Sequence, residues 1–276
     1  MYEIPEALNV SRQLNTLLPG KVISDVAAGQ TPHKLAWYYG QPEGYQALLS
    51  GKRLGQAKAF GGFIELEAGD AAILLGEGVN IRYHAPGEAR PAKHQLLIEF
   101  EDGSALSCAI QMYGGMGAYR AGTLDNKYYL VAKGKPSPLS DGFDRAYFDS
   151  LLHADGMEKL AAKAFLATEQ RVPGLGNGVL QDILYNAKLH PKRKVGWLSA
   201  SEKDALYDSV RDTLAEMAAL GGRDTERDLF GCAGGYITKL SKNTAGKPCP
   251  VCGGDIVKEA YMGGSVYYCT GCQKLE

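Results

Sequence analysis

Four cysteines near the C-terminus constrain the fold of this chain more than any other sequence feature. Cys249 and Cys252 form one CxxC pair, and Cys269 and Cys272 form a second pair after sixteen intervening residues. Two CxxC pairs at this separation favour tetrahedral coordination of one structural Zn²⁺ over four unrelated thiols or a disulfide framework. Because the tail is too short to bury a hydrophobic core unaided, a zinc ion is predicted to hold it as a ribbon.

The composition places the rest of the chain among globular proteins. Its 276 residues are 45% hydrophobic and 22% charged, which excludes disordered, collagen-like and coiled-coil proteins. No apolar run approaches the roughly 18 residues of a membrane helix, and the N-terminus lacks the features of a signal peptide, so we expect a cytoplasmic protein without a membrane partner. With 30 basic and 31 acidic residues, any nucleic-acid face must be local.

Hydrophobic patterning divides the chain into a β-rich part and a helical part. Strands are predicted near residues 22–26, 63–67, 71–75, 96–100 and 105–110, with one amphipathic helix before them. Helices are predicted at 143–154, 156–166, 178–187 and 199–220. We therefore predict a multidomain α+β protein, with a β-sandwich and its leading helix at 1–132, a linker at 133–142, a helical domain at 143–246 and a zinc ribbon at 247–276.

A glycine-containing turn before one of these helices is a second candidate site. Gly174 and Gly176 would let backbone N–H groups turn towards an anion, and Asn177 would add its side-chain amide at a helix terminus that favours negative charge. Three basic residues follow this helix: Lys192, Arg193 and Lys194. Taken alone, these residues fit a phosphate-binding site less well than an N-capping turn with a solvated basic end.

Together these features resemble the bacterial formamidopyrimidine-DNA glycosylase and endonuclease VIII family of base-excision repair. The resemblance covers nearly the whole chain and is carried by four segments in the family's order: Glu3 to Glu6, Pro173 to Asn177, Leu184 to Pro191, and Tyr268 to Lys274. It implies a two-layer β-sandwich, a helix-two-turns-helix domain and a zinc ribbon. It also implies that the partner is double-stranded DNA containing a damaged base or an abasic site, bound by a nucleoid-associated monomer.

The resemblance changes the interpretation of the glycine turn. It makes phosphate binding by Asn177 the favoured role, and it adds Lys163, in the helix before the turn, as a second contact to the DNA backbone. Gly174, Gly176 and the basic run from Lys192 to Lys194 complete the DNA-binding face that it implies.

The family's catalytic residues match this sequence poorly. The family nucleophile is usually an N-terminal proline, exposed by removal of the initiator methionine, whose amine attacks the sugar C1′. Tyr2 stands at that position, and because methionine removal normally needs a small second residue, Met1 is expected to remain and to displace the amine. The acid beside the nucleophile is matched by Glu3, with Glu6 nearby. These two are candidate catalytic carboxylates, or simply acids at the start of a helix.

Other departures remove groups that would clamp or attack DNA. Gly62 stands at the position of the family's hairpin lysine, which is therefore absent unless Lys58 takes its place. Gly264 stands at the position of the arginine that the family's zinc hairpin normally carries. Glu77 replaces a common methionine among the residues that fill the space left by a flipped nucleotide, and the usual Arg-Phe pair is absent. The other candidates for this wedge are Met112, Tyr113 and Met116.

Two functions from different classes follow. The leading one is a DNA glycosylase that flips out a damaged base and cleaves its N-glycosidic bond, with AP-lyase activity weak or lost. The alternative is a catalytically inactive lesion- or structure-specific DNA-binding protein on the same fold. Retention of Glu3 favours the enzyme, whereas loss of the terminal proline and of the hairpin lysine favours the binding protein.

Overall fold

The first element of the fold is the predicted leading helix. The computed structural model describes residues 2–110 and 112–275. Helix α1 (Ile4–Leu17) has Pro5 in its first turn, where a missing N–H costs no helical hydrogen bond. Ala7, Val10 and Leu14 recur at helical spacing and are buried against the strands that follow.

Among the residues described ahead of position 121, nine strands form two sheets. Their bounds are β1 Ile23–Ala28, β2 Ala36–Tyr39, β3 Leu54–Phe60, β4 Phe63–Ala68, β5 Ala71–Leu75, β6 Val79–His84, β7 Leu96–Phe100, β8 Ala105–Ile110 and β9 Gly114–Arg120. The strand order is β1-β7-β8-β6 in one sheet and β2-β9-β5-β4-β3 in the other, and every pairing is antiparallel except that of β2 with β9. A short helix, α2 (Tyr45–Leu49), follows β2.

One hydrophobic cluster holds the two sheets together. Ile23, Ile98 and Leu106 from the four-stranded sheet join Ile64 and Ile73 from the five-stranded sheet in it. The predicted sandwich with a leading helix is therefore confirmed, and β1, β4, β5, β7 and β8 lie where the sequence predicts strands.

A second hydrophobic cluster forms the core between the helices that follow the sandwich. The helices after the sandwich are α3 (Lys127–Gly134), α4 (Arg145–Leu152), α5 (Ala162–Ala167), α6 (Asn177–Asn186) and α7 (Ala200–Ala219). Phe148, Phe165, Ile183 and Leu206 bury side chains from α4 to α7 in the cluster. Helix α3 instead packs on the sandwich through Tyr129, and it extends to Gly134, so the first two residues of the predicted linker are helical.

The C-terminal part is a two-stranded hairpin. Strands β10 (Ile256–Tyr261) and β11 (Gly264–Cys269) pair antiparallel around a turn at Met262 and Gly263. The hairpin rests on α6, where the Gln181 side-chain oxygen accepts the Tyr267 N–H at 2.9 Å. Across the ranges 2–110 and 112–275, we find no helix with the length and apolar character needed to cross a membrane.

Candidate functional site

Four cysteine sulfurs converge at the base of the C-terminal hairpin. The Sγ atoms of Cys249, Cys252, Cys269 and Cys272 all lie within 4.8 Å of one another. The Cys249–Cys272 and Cys252–Cys269 sulfur pairs are 3.8 and 3.3 Å apart. Tetrahedral coordination with metal–sulfur bonds of about 2.3 Å needs sulfurs about 3.8 Å apart, so this donor set fits one metal ion. The four predicted ligands are therefore positioned to bind a metal.

A cleft of about 660 Å³ lies where the sandwich, the helical part and the tip of the hairpin meet. Residues that the sequence analysis selected from all three regions line it: Glu3, Glu77, Met112, Tyr113, Lys163, Gly174, Gly176, Asn177 and Gly264. The fold thus brings most of the predicted site to one place, although the segments are far apart in the chain.

Glu3 lies in this cleft with both carboxylate oxygens engaged. Oε1 accepts the N–H of Gly178 and Oε2 that of Val179, each at 2.8 Å. Burial raises the pKa of Glu3 above its ordinary value, although Arg223, whose Nη1 is 3.6 Å from Oε1, and the two amides oppose that shift. Glu3 therefore caps a helix other than its own, and this holds the carboxylate in a fixed position facing the cleft.

Glu6 is not the solvated first-turn acid that one interpretation of the sequence gives. It is 3% exposed, and its carboxylate accepts the N–H, Nε and Nη2 of Arg223 at 2.8–3.0 Å and the N–H of Glu3 at 3.0 Å. Burial alone would raise the pKa of Glu6, but the Arg223 guanidinium outweighs it and lowers that pKa below its usual range. Glu6 lies behind the cleft rather than in its lining, which argues against a direct catalytic role.

Arg223 is the residue of this site that the sequence analysis missed. It follows Gly221 and Gly222 after α7, and no motif or spacing there distinguishes it from a surface arginine. Its side chain is buried and lines the cleft between Glu3 and Glu6. The two carboxylates raise the pKa of the guanidinium further, although burial opposes this. Arg223 therefore neutralises part of the negative charge at the cleft.

Tyr2 does not stand at the cleft as a nucleophile would. Its side chain is 2% exposed, belongs to the core of the sandwich, and lies with its hydroxyl 3.4 Å from the Ile81 carbonyl oxygen. Burial raises the pKa of the phenol, so it stays protonated. The other residue assigned to the nucleophile position, Met1, lies outside the described residues.

The glycine turn before α6 is shaped by protein contacts. Gly174 (φ 77°) packs so closely on the β3–β4 turn that a Cβ atom would lie 2.4 Å from the Gly61 carbonyl carbon. A Cβ atom at Gly176 would lie 2.7 Å from the Glu3 carboxylate. The N–H groups of Gly178 and Val179, in the first turn of α6, both donate to the Glu3 carboxylate. These two N–H groups are therefore already occupied by a protein carboxylate, whereas anion binding at Gly174 and Gly176 stays a prediction.

Asn177 and Lys163 lie opposite the hairpin tip. The Asn177 amide donates to the Ser265 carbonyl oxygen at 2.9 Å, and the Lys163 ammonium donates to the Tyr261 carbonyl oxygen at 2.6 Å. A Cβ atom at Gly264 would lie 3.7 Å from Lys163 Nζ and 3.8 Å from the Asn177 amide. The two side chains therefore join the helical part to the hairpin and line the cleft beside Gly264.

The basic run after α6 is largely neutralised. Lys192 forms an ion pair with Glu259, and Arg193 forms one with Glu202 at 3.1 Å. Lys194 lies 5.1 Å from the centre of the Trp197 ring, and within the described part of the chain it has no carboxylate partner. Lys194 is thus the member of this run whose charge faces solvent.

The predicted wedge residues divide into two groups. Met112 is 67% exposed and Tyr113 is partly exposed, and both line the cleft at its rim. The ring centre of Tyr113 lies 6.2 Å from that of Trp37. Met116 is fully buried in β9 and is therefore unavailable as a wedge, because its side chain forms part of the sandwich core. Lys58 pairs with Glu67 at 3.0 Å outside the cleft lining and does not replace the hairpin lysine.

Comparisons with known proteins agree with this geometry. No protein-family model matches the chain. Formamidopyrimidine-DNA glycosylases from Lactobacillus delbrueckii subsp. bulgaricus and Listeria innocua are each 29% identical to it over 99% of this chain and 100% of their own length. Among solved structures, Lactococcus lactis Fpg in complex with DNA containing an abasic site has a TM-score of 0.84 at 24% identity, covering 99% of both chains.

A second solved structure, Fpg (MutM) from Thermus thermophilus, has a TM-score of 0.80 at 24% identity and covers 98% of both chains. The structural matches show a shared fold, and the curated relatives extend the similarity along the whole sequence. By its sequence, this chain is therefore similar over its whole length to formamidopyrimidine-DNA glycosylases, and it shares the fold of the solved Fpg structures.

Proposed function

We propose that this protein is a DNA repair glycosylase that binds duplex DNA, flips out a damaged base and cleaves its N-glycosidic bond. The observation that carries this proposal is the position of Glu3, a buried carboxylate fixed at a cleft to which the sandwich, the helical part and the hairpin tip all contribute. A fixed carboxylate of this kind stabilises the positive charge that develops on a sugar as its glycosidic bond breaks.

The DNA-binding role is supported by relatives and by the cleft. Lactococcus lactis Fpg has been solved with DNA containing an abasic site and with DNA containing an oxidised pyrimidine. Lys163 and Asn177, together with the backbone at Gly174, Gly176 and Gly264, would lie along the phosphates. Met112 and Tyr113 would enter the space left by the flipped nucleotide. The proposed partner is double-stranded DNA with a damaged base or an abasic site, bound by a monomer at the nucleoid.

The proposed chemistry is hydrolytic, with AP-lyase activity weak or absent. A lyase of this family type needs an amine at C1′. Burial of Tyr2 in the sandwich core supports the loss of that route, because the tyrosine side chain cannot enter the cleft and a retained Met1 would displace the terminal amine. Water is the remaining nucleophile.

We also propose that the metal of the cysteine cluster is zinc. Four thiolates with no open position are typical of a structural zinc site, and zinc binding would supply the folding energy that the short ribbon lacks. The residues that would hold it are Cys249, Cys252, Cys269 and Cys272.

Two assays test the proposed function. Purified full-length protein is incubated with duplexes carrying a formamidopyrimidine lesion, an oxidised pyrimidine or no lesion, and free base is quantified. We expect release from at least one lesion duplex and none from intact DNA. No release from any of them, together with tighter binding to an abasic-site duplex than to intact DNA, would leave the inactive DNA-binding protein as the function.

A further inference from the structure

Glu77 lies in the three-residue connection between β5 and β6, where the chain crosses from one sheet to the other. Before it, the Gly76 N–H donates to the Gly115 carbonyl oxygen at 2.8 Å. After it, Gly78 (φ 84°) packs so closely on the backbone of Tyr113 that a Cβ atom at Gly78 would lie 1.8 Å from the Tyr113 carbonyl oxygen. The backbone on both sides of Glu77 is therefore fixed against β9 and the residue before it.

The side chain of Glu77 fills the space beside Gly62. A Cβ atom at Gly62 would lie 2.6 Å from Glu77 Cγ and 3.0 Å from Oε1. Any side chain at Gly62 would thus displace the acid. The two positions are complementary, because the absence of a side chain on the β3–β4 turn makes room for a carboxyl group at the end of β5.

Glu77 and Glu3 line the same cleft in different environments. Both oxygens of Glu3 accept backbone N–H groups, whereas the Glu77 carboxyl has no hydrogen bond or ion pair among residues 2–110 and 112–275. Burial, together with the negative charge of Glu3, raises the pKa of Glu77 to about 7.

The titratable groups that face Glu77 come from three elements. Glu3 lies at the start of α1, Tyr39 at the end of β2 and Tyr113 just before β9. Burial is the larger cause of the raised pKa of both tyrosines, and the charge of Glu77 raises each pKa further. The other charged residues that line the cleft are Lys163, Glu169, Arg223 and Glu226. Since Tyr39 and Tyr113 stay neutral near pH 7, Glu3 is the charged neighbour that acts on Glu77.

We propose that Glu77 is the general acid of this cleft and protonates the departing base while the Glu3 carboxylate stabilises the sugar cation. This inference rests on the proposed glycosylase function. Two neighbouring carboxyl groups, one fixed as a hydrogen-bond acceptor and one desolvated without a partner, divide the work as in glycoside hydrolysis.

The proposed step balances with water as its co-reactant. As the C1′–N bond breaks, its electron pair leaves with the base, and the base takes the Glu77 proton. Water then forms the C1′–O bond, and its proton returns to the Glu77 carboxylate. The products are the free base and an abasic sugar, and neither an amine nor a redox partner takes part.

The test is single-turnover release of base from a formamidopyrimidine-containing duplex by the full-length protein, with the wild type and E77Q compared across pH values on both sides of 7. Because the acid must be protonated, the wild-type rate should fall as pH rises through about 7. E77Q should be slower by about 100-fold or more and should lose this pH dependence, since general acids contribute about 10²–10⁴-fold. E158Q, at an exposed glutamate outside the cleft lining, controls for the loss of one carboxylate charge.

A second pair of variants tests the geometry. G62A keeps the carboxyl but forces it to move, so release should slow by about tenfold or more. G134A, where an added Cβ atom meets no atom within 4 Å, should leave the rate unchanged. Thermal unfolding and binding to a duplex with a tetrahydrofuran abasic analogue should stay close to wild type for E77Q.

The outcomes separate the two proposals. Wild-type release with an unchanged E77Q rate and pH profile overturns the role of Glu77 and leaves the glycosylase intact. An E77Q rate loss matched by an equal loss of abasic-analogue binding also overturns it, because Glu77 would then act in binding. No release by the wild type from any lesion duplex overturns the proposed function and this inference with it.

Discussion

Two glutamates one helical turn apart look equivalent in the sequence, but the fold gives them different roles. Glu6 receives three hydrogen bonds from Arg223 and is buried with it, whereas Glu3 caps α6 and has Arg223 at 3.6 Å. Glu6 and Arg223 thus form a buried ion pair that supports the cleft from behind. Removing one partner of such a pair leaves an uncompensated charge away from water.

Loss of Arg223 should therefore reduce stability more than loss of a surface arginine. We expect R223M to lower the free energy of unfolding by roughly 3 to 5 kcal/mol, measured by denaturant titration. R120M removes an exposed arginine paired with Asp70 at 3.3 Å and should cost roughly 1 kcal/mol or less. Equal losses in the two variants would mean that the buried pair contributes no more than a surface one.

The Glu6 pair also predicts a pH dependence of stability. The pKa of Glu6 in the folded protein lies below its ordinary value of 4.5, so the pair stabilises the fold above pH 4.5 and loses its effect as pH falls through the folded pKa. The difference in unfolding free energy between wild type and E6Q should therefore be constant near neutral pH and shrink below 4.5. A difference that grows on acidification would contradict this assignment.

Residues with a local signature could be predicted from the sequence, and residues defined by distant contacts could not. The cysteines are recognised by their spacing and Asn177 by the glycine turn before it, and the structure brings the four sulfurs together and places Asn177 in the cleft. Arg223 gains its role from acids more than 200 positions away. The family resemblance places Glu77 among the wedge residues, whereas its position beside Gly62 exists only in the folded sandwich.

At the scale of elements, the N-terminus of α6 shows how a local pattern can mislead. A glycine turn before a helix predicts an anion site, and the anion here is the Glu3 side chain. Under the proposed function, side chains such as Asn177 and Lys163 are therefore the expected phosphate contacts of this region. In the basic run beyond α6, only a side chain that is not already paired with a carboxylate has a positive charge available for DNA.

The salt dependence of DNA binding should therefore distinguish the members of that run. K194Q removes a charge that faces solvent, and we expect it to reduce the slope of log Kd against log salt concentration by about 0.9, one phosphate contact. K192Q removes a lysine paired with Glu259 and should change the slope less. Equal changes in both variants would mean that Lys192 leaves Glu259 to contact DNA.

The ribbon should depend on its metal as a single element. In C252S, the metal content should fall from about one zinc per chain, and abasic-site DNA should bind more weakly, because the hairpin tip at Met262 to Gly264 lines the cleft. C232S, at an exposed cysteine outside the cluster, is the matched control and should keep both properties. Retention of a full zinc content by C252S would show that the four thiolates are not the ligand set.

Two differences between the predicted and the observed elements have physical causes. Strand β9 contains three glycines, which strands disfavour, yet a Cβ atom at Gly115 would lie 2.3 Å from the Tyr39 hydroxyl. The helix predicted at 156–166 is a 3-10 turn at Met157–Lys159 followed by α5, which starts only at Ala162. A neighbouring side chain thus requires glycine at position 115, and the β-bridge of Ala161 with Lys194 interrupts the predicted helix. Neither contact can be seen in a one-dimensional pattern.

At the scale of the whole molecule, the cleft depends on three parts meeting. The fold class was predictable because alternating strands, periodic helices and paired cysteines each leave a local pattern. The meeting of Glu3 with the start of α6, and of Lys163 with the hairpin, links residues far apart in the chain, and no local pattern in the sequence predicts it. In the same structure Tyr2, next to Glu3, is buried in the core of the sandwich.

The central claim is that this cleft releases a base by hydrolysis and without a covalent amine intermediate. The direct measurement is a single reaction of the protein with formamidopyrimidine-containing DNA in the presence of borohydride, in which free base and protein–DNA cross-links are quantified together. We predict base release with little or no cross-linked product. Cross-linking through the N-terminal amine in a yield that matches base release would contradict the account.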